Sequence, residues 1–362
     1  MVYGVRIDYL SPTLYFLDLL IILYLFIRKF ENLKIFDLRL FCPLLLTNIL
    51  YSQNPLATLS WSLHLILYLY FVVSLGSDTK KIIASTIAVS LLFQTILASA
   101  QVYLGHSAGG LIYYLGERMV SVGSPGIALG SFMGQVVLRA YGTFSHPNIL
   151  AGYAAISLLI ILIINKKKFE NLRIYDLRLF CPLLLTTTLV FLTHSRAAAL
   201  SLFGIIIPLY IIKKLKYRIL YFVIILSTIY YAPAMVVPTR SDLSSSGRLT
   251  LQSLSLSAIR TFPVFGTGAQ SSISTYPRID SSVRLLQPDH NTFTLFLSWF
   301  GIFGLLGAIF VLRPMTYNLL PLLPILPLLL FDHYLLTSPQ GLFISLLYLG
   351  SALNYSHVQK NR

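Results

Sequence analysis

Runs of about 20 mostly apolar residues, the length a helix needs to cross a hydrocarbon core, recur from one end of this chain to the other. No other feature narrows the fold so far. Charged residues fill 11% of the 362 positions, against roughly 25% in a soluble domain, and the mean hydropathy is +0.77. These values exclude a soluble globular protein and a disordered chain. Two cysteines cannot frame a small secreted scaffold, and no Cys/His spacing of the metal-binding kind occurs. The formal net charge of +15 fits basic cytoplasmic loops between spans better than a nucleic-acid footprint. The opening stretch MVYGVRIDYLSPTLYFLDLL has no small-residue cleavage site after its apolar core. It reads as a first span, not a removed signal.

The expected fold is therefore an all-α integral membrane protein of about eleven spans, within a range of about ten to twelve. The apolar runs place them near 11–27, 38–53, 56–76, 82–104, 148–165, 178–194, 197–212, 218–237, 290–312, 318–335 and 340–354. Segment 119–138 is apolar but rich in Gly and Ser, and reads as a re-entrant or interfacial piece. Residues 1–237 make an N-terminal bundle, 238–289 a long loop and 290–362 the C-terminal helices of one membrane domain. Lysines set the direction. Lys29, Lys34, Lys80, Lys81, Lys166, Lys167, Lys168, Lys213, Lys214, Lys216 and Lys360 all fall on one side of this topology, which makes that side cytoplasmic. The other face carries Arg6, Arg118, Arg139, Arg196, Arg240, Arg248, Arg260, Arg278 and Arg284 and no lysine. The plainer reading is that a long outer loop tolerates positive charge. The sharper one is a use for guanidinium, which is always charged and grips phosphate oxygens with a planar fork.

One block occurs twice. KFENLKIFDLRLFCPLLLT (29–47) and KFENLRIYDLRLFCPLLLT (168–186) differ only at Lys34/Arg173 and Phe36/Tyr175. Identity confined to so short a block is not a solenoid. Both copies run from a basic loop into a span, and Cys42 and Cys181 within them read as small buried hydrophobes.

The longest polar stretch, 238–289, exceeds ordinary connections. Its GRLTLQSLSLSAIR segment predicts an amphipathic helix closed before Pro263, and PVFGTG predicts a turn with two glycines. The stretch ends at PDHN against TFTLFLSWFGIFGLLG. That sets His290 at the outer membrane surface between Asp289 and Asn291. RAYGTFSHPNILAGY (139–153) opens another span with Arg139, His146 and Asn148. Pro147 suits a first helical turn, so a helix cap accounts for HPN equally well. THSRAAAL (193–200) joins two short spans and puts Arg196 at the outer rim. There it either snorkels or, facing the bundle interior, serves function. FDHYLLTSPQG (331–341) adds Asp332 and His333.

In this order, GTFSHPNILAGY, the THSRAAAL turn, R…AIRTFPVFGTG and HNTFTLFLSWFGIFGLLG resemble the O-antigen ligase family of membrane glycosyltransferases, which includes related polymerases and protein-glycosylating ligases. The motifs cover residues 139–312. The span count and the internal repeat depart from the family pattern. The resemblance implies transfer of a glycan from a polyprenyl-pyrophosphate carrier, on the extracytoplasmic face of the cell (inner) membrane. The acceptor would be a hydroxyl on a lipid-linked sugar, a growing glycan or a protein, with no metal, no cofactor and no nucleic acid. Matched by motif, it implies that Arg196 and Arg248 hold the pyrophosphate and that His290 is the base. Arg240 and Arg260 lie near Arg248, and Arg139, His146, Asn148, Arg260, Asp289, Asn291, Asp332 and His333 are possible supporting groups.

The residues agree with that chemistry. Two guanidinium groups can stabilise charge that grows as a diphosphate leaves, and a neutral imidazole suits a general base near neutral pH. A single displacement would invert the anomeric centre. A polymerase would use the same residues with a glycan chain as acceptor. A transporter of lipid-linked sugars would show paired charges at mid-membrane and repeated spans. The expected span interiors carry few charges, with Asp18 and Asp332 the main exceptions. A scaffold would leave the arginines and His290 unexplained.

Overall fold

The computed structural model describes residues 12–28, 41–165, 177–212, 242–282, 287–312 and 320–360. The expected span 218–237 lies outside them, as do Arg6, Arg240, Arg284 and most of the lysines that set the direction. The described chain is mostly helical. In order its elements are α1 (Phe16–Ile27), α2 (Phe41–Leu50), α3 (Pro55–Ser74), α4 (Ser77–Leu104), α5 (Leu111–Tyr114), β1 (Leu129–Phe132), β2 (Gln135–Leu138), α6 (Pro147–Ile164), α7 (Leu177–Thr193) and α8 (Arg196–Ile212). There follow α9 (Asp242–Thr261), α10 (Ser272–Ile279), α11 (Thr292–Leu312), a 3-10 turn (Leu320–Ile325), α12 (Leu326–Phe331), α13 (Tyr334–Thr337) and α14 (Pro339–Lys360). Four stretches are long and apolar enough to cross a membrane: Pro55–Ser74, Thr79–Leu104, Pro147–Ile164 and Thr292–Phe310. Phe16–Ile27, Phe180–Thr193 and Arg196–Ile205 are shorter apolar helices.

Three expectations need correction. Of the segment expected as one helix over 318–335, residues 320–335 form a 3-10 turn followed by two short helices. Pro321, Pro324 and Pro327 each remove a backbone donor and crowd the preceding turn. The all-α expectation misses an antiparallel hairpin in 119–138, with Leu129 opposite Leu138 and Phe132 opposite Gln135. Met133 and Gly134 close it, both at positive φ. Cys42 and Cys181 are exposed rather than buried. The expected helix in the long loop is present and starts upstream of Gly247, as α9.

The chain divides into two compact units. The first comprises Met1–Gly76, Thr239–Leu319 and Leu329–Arg362, and the second Ser77–Pro238 and Leu320–Leu328. In the first, Trp61 of α3 meets Trp299 of α11 edge to face, at 6.0 Å between ring centroids. Ile21, Leu25, Leu45, Tyr68 and Leu342 close around this pair. Asp18, one of the few charges expected in a span, is fully buried. It accepts from Tyr15 N (2.7 Å), the Tyr68 hydroxyl (2.7 Å) and His64 Nε2 (3.1 Å). A buried carboxylate needs such partners, so Asp18 ties α1 to α3.

Within the first unit, α11 is broken at Gly301 (φ 60°, ψ −162°). The freed amides of Ile302 and Phe303 donate to Pro263 O (2.9 Å) and Val264 O (3.0 Å) in the turn after α9. A Cβ on Gly301 would come within 2.4 Å of Val264 O, so only glycine fits this approach. The GTG turn that follows is fixed as tightly. Thr267 N donates to Ser298 O (2.8 Å) and Gly268 N to Trp299 O (3.0 Å). Asn48 of α2 donates to Trp299 O (2.7 Å) and accepts from Ala269 N (3.0 Å).

In the second unit, α4, α6 and α7 pack together. Ala151, Gly152, Ala154 and Ala155 keep α6 slim, which lets neighbouring helices approach closely. Gln94 and Gln101 of α4 hold the connection to α6. Gln101 Oε1 accepts from Tyr141 N (3.0 Å) and Gly142 N (2.8 Å), and Gln94 Oε1 accepts from Thr143 N (3.0 Å).

Candidate functional site

His290 stands just before α11, in a start built from local polar contacts. Asn291 Oδ1 accepts from Phe293 N (2.9 Å) and Thr294 N (3.2 Å), which satisfies amides that have no partner inside a helix. Asp289 accepts from Asn291 N (3.1 Å) and from the Thr294 hydroxyl. Asp289 and Asn291 therefore shape the helix start. The carboxylate facing His290 is one that sequence adjacency does not suggest. His290 Nδ1 lies 3.8 Å from Asp332 Oδ1. That nitrogen is buried and has no hydrogen-bond partner among the described residues.

Asp332 and His333 are placed by the chain break between α12 and α13. Asp332 O accepts from the Thr292 hydroxyl (2.6 Å), which pins the break to the start of α11. His333 Nδ1 pairs with Thr337 Oγ1 at 2.8 Å, and its ring stands 4.9 Å from that of His290, centroid to centroid. Asp332 and His333 are both buried. Gln270, from the GTG turn, donates to Thr337 O (2.7 Å). The base candidate, the broken helix and the glycine turn thus form one connected piece of the first unit. His290, Asp332 and His333 also bring ligand atoms within 4.8 Å of one another, a set that could hold a metal ion.

Arg248 and Arg260 lie on α9, both exposed. Leu251, Leu254, Ser255 and Ala258 form the buried stripe of that helix. Arg248 lies on the line of Leu251 and Ser255, while Arg260 is rotated about 120° from Arg248 by the helical period. This separates Arg248, matched by motif, from its neighbour Arg260: Arg248 lies on the line of the buried stripe and Arg260 does not. The helix rests on α10 through the Tyr276 hydroxyl and Ser255 Oγ (2.7 Å). Burial pushes the Tyr276 phenol up to about 12, so it is a neutral anchor.

The remaining candidates belong to the second unit. Arg196 is the first residue of α8 and is exposed. His194, at φ 51°, makes the sharp turn before it. Burial, and then the nearby Arg139 guanidinium, holds the His194 imidazole below its ordinary value, which keeps it neutral. Arg139 donates to Thr193 O (2.7 Å) and Asn148 Oδ1 (2.6 Å), so it ties the turn to the start of α6. His146 is the N-cap of α6 and accepts from Asn148 N at 3.1 Å, the plainer of the two roles that HPN allowed. The structure therefore groups His290, Asp289, Asn291, Asp332 and His333 in one unit. Arg196, Arg139, Asn148 and His146 gather in the other.

Residues 181–312 match a known family, described as O-antigen ligase. The matched stretch runs from Cys181 of α7 to the end of α11 and includes Arg196, Arg248, Arg260, Asp289, His290 and Asn291. No curated protein and no solved structure matches the chain significantly.

Proposed function

We propose, from the match of residues 181–312 to the O-antigen ligase family, that this chain transfers a glycan from a polyprenyl-pyrophosphate carrier to an acceptor hydroxyl. The observation that carries the reading is the buried Nδ1 of His290, which has no hydrogen-bond partner among the described residues, beside the Asp332 carboxylate. A base held this way needs only a small closure to share its Nδ1 proton with Asp332. Its Nε2 is then oriented to take the acceptor proton. The acceptor O–H gives its proton to His290 Nε2 while its oxygen attacks the anomeric carbon. The bond from that carbon to the phosphate oxygen breaks, and its electron pair leaves on the pyrophosphate. One displacement inverts the anomeric centre.

Arg196 and Arg248 meet the charge on the leaving diphosphate. For Arg196 a second effect points the same way: it opens a 17-residue helix, and a helix N-terminus favours anions. The protein resides in the cell inner membrane with about eleven spans, its lysines in the cytoplasm and its loop 238–289 on the extracytoplasmic face.

The test is transfer in vitro. Purified protein in detergent receives a polyprenyl-pyrophosphate glycan and, in separate reactions, a lipid-linked sugar, a glycan chain and a peptide acceptor, each with and without a chelator. Transfer to one acceptor class, unchanged by the chelator, is expected. Absence of transfer to all three overturns the reading. Loss on chelation assigns the His290, Asp332 and His333 set to a metal instead of a proton.

A further inference from the structure

The connection between α4 and α6 poses a problem that the transfer reaction leaves unsolved. From Gly105 to Leu138 it carries two charged residues, Glu117 and Arg118. Glu117 is buried, and its carboxylate accepts from Ala108 N, Gly109 N (both 2.7 Å) and Gln101 Nε2 (2.8 Å). Many apolar side chains of the same stretch face outward instead. Leu111 and Tyr114 are each 82% exposed, Met119 71%, Met133 88% and Val136 63%. A connection meant for water shows the reverse arrangement.

The hairpin tip sharpens the point. Its two-residue turn, Met133–Gly134, has positive φ at both positions (49° and 80°). That turn type strongly favours Asn or Asp followed by Gly. Methionine there is strained and is also the most exposed apolar side chain of the hairpin. Strain kept at an exposed position points to use. The base of the hairpin is held firmly. Leu138 is fully buried with Val120 and Tyr141, and Ala140 N donates to Leu192 O (3.0 Å). Gly130 lets His194 approach so closely that a Cβ would lie 2.8 Å from its Nδ1.

We propose that the Phe132–Gln135 tip of this hairpin inserts into the bilayer leaflet next to which α4 ends and α6 begins. It anchors there the turn that carries Arg196. The occupant is lipid because α4 and α6 are both long and apolar enough to cross a membrane. Their connection must therefore begin and end at a bilayer surface. Depth is limited by the backbone. Two strands of four residues rise only about 13 Å, and their unpaired edges cannot enter the hydrocarbon centre. The tip thus reaches the boundary of headgroups and acyl chains, where Tyr113 and Tyr114 of α5 also have the character of interfacial residues.

The test does not depend on transfer activity. In a Cys42→Ser, Cys181→Ser background, Met133→Cys and, separately, Val136→Cys are labelled with an environment-sensitive fluorophore. Each protein is reconstituted into vesicles of phosphatidylethanolamine and phosphatidylglycerol. Lipids bearing a nitroxide near the headgroup should quench both labels severalfold more than aqueous iodide does. They should also quench more than lipids with the nitroxide at the chain end. Stronger quenching by iodide overturns the proposal in favour of a water-exposed tip. Quenching by neither agent overturns it in favour of a protein surface, such as a second copy, and stronger quenching from the chain end overturns the shallow depth.

Discussion

Two helix starts carry the chemistry-bearing residues, and they are built in opposite ways. At α11 the polar groups are buried and already committed: Asp289 to Asn291 and Thr294, His333 to Thr337. One imidazole nitrogen, Nδ1 of His290, has no hydrogen-bond partner among the described residues. At α8 the committed groups are Arg139 and His194, which make the turn, and the charge they present, Arg196, is exposed. A proton acceptor gains from a rigid surround, because its geometry must be ready before the reaction. A charge that captures a diphosphate gains from access. On the proposed reaction, the rate would rest on the first start and the affinity on the second.

The largest effect should come from His290→Ala. Turnover should fall by about 10²–10⁴-fold, the usual loss for a general base, while the dissociation constant for the donor stays near that of the wild type. Weakened donor binding in this variant would break the division of labour. Arg196→Ala should do the converse. Losing a charged contact costs about 2 kcal/mol at the low end, roughly thirty-fold in donor affinity by the tenfold-per-1.4 kcal/mol rule, with less effect on turnover at saturation. Arg196→Lys should recover little, because a point charge lacks the fork. Equilibrium binding of labelled donor measures both.

A smaller contrast separates Arg248→Ala from Arg260→Ala. The first should weaken donor binding severalfold and the second hardly at all, because only Arg248 continues the inward stripe of α9. Equal losses would sink the angular argument. The smallest effect is a pH slope. In the folded unit His194 lies below the ordinary imidazole value, so between the two values the unfolded chain binds more protons. Stability must then fall as pH drops from about 6.5. Thermal unfolding from pH 8 to pH 5 should show this decline. His194→Asn, which tolerates positive φ, should flatten it.

The helix starts were legible in sequence because a cap is a local pattern: PDHN before an apolar run, HPN before another. The partner of His290 was not. Asp332 reaches it from the break between α12 and α13, inside a segment expected as one helix, and no local pattern reports a contact so distant in the chain. The internal repeat shows the same limit. FCPLLLT occurs unchanged at 41–47 and 180–186, yet Leu45 is 4% exposed while its counterpart Leu184 is 50% exposed. Thr47 turns its hydroxyl to its own helix, at Pro43 O (2.8 Å), and the matching Thr186 is buried against Ala154 O (3.4 Å). Seven identical residues make helix in both places, but the surrounding elements decide which face is hidden.

The break at Gly301 bears on the order in which this protein can be made. The two carbonyls that cap the second half of α11 belong to Pro263 and Val264, which leave the ribosome before Ile302 does. At about 5–20 residues per second the interval is on the order of seconds. The capping carbonyls are thus already synthesised when the amides that need them appear. A rearranged chain with α11 ahead of this turn would present those amides to the bilayer with nothing to receive them. The direction of synthesis is therefore part of what makes a broken helix affordable here.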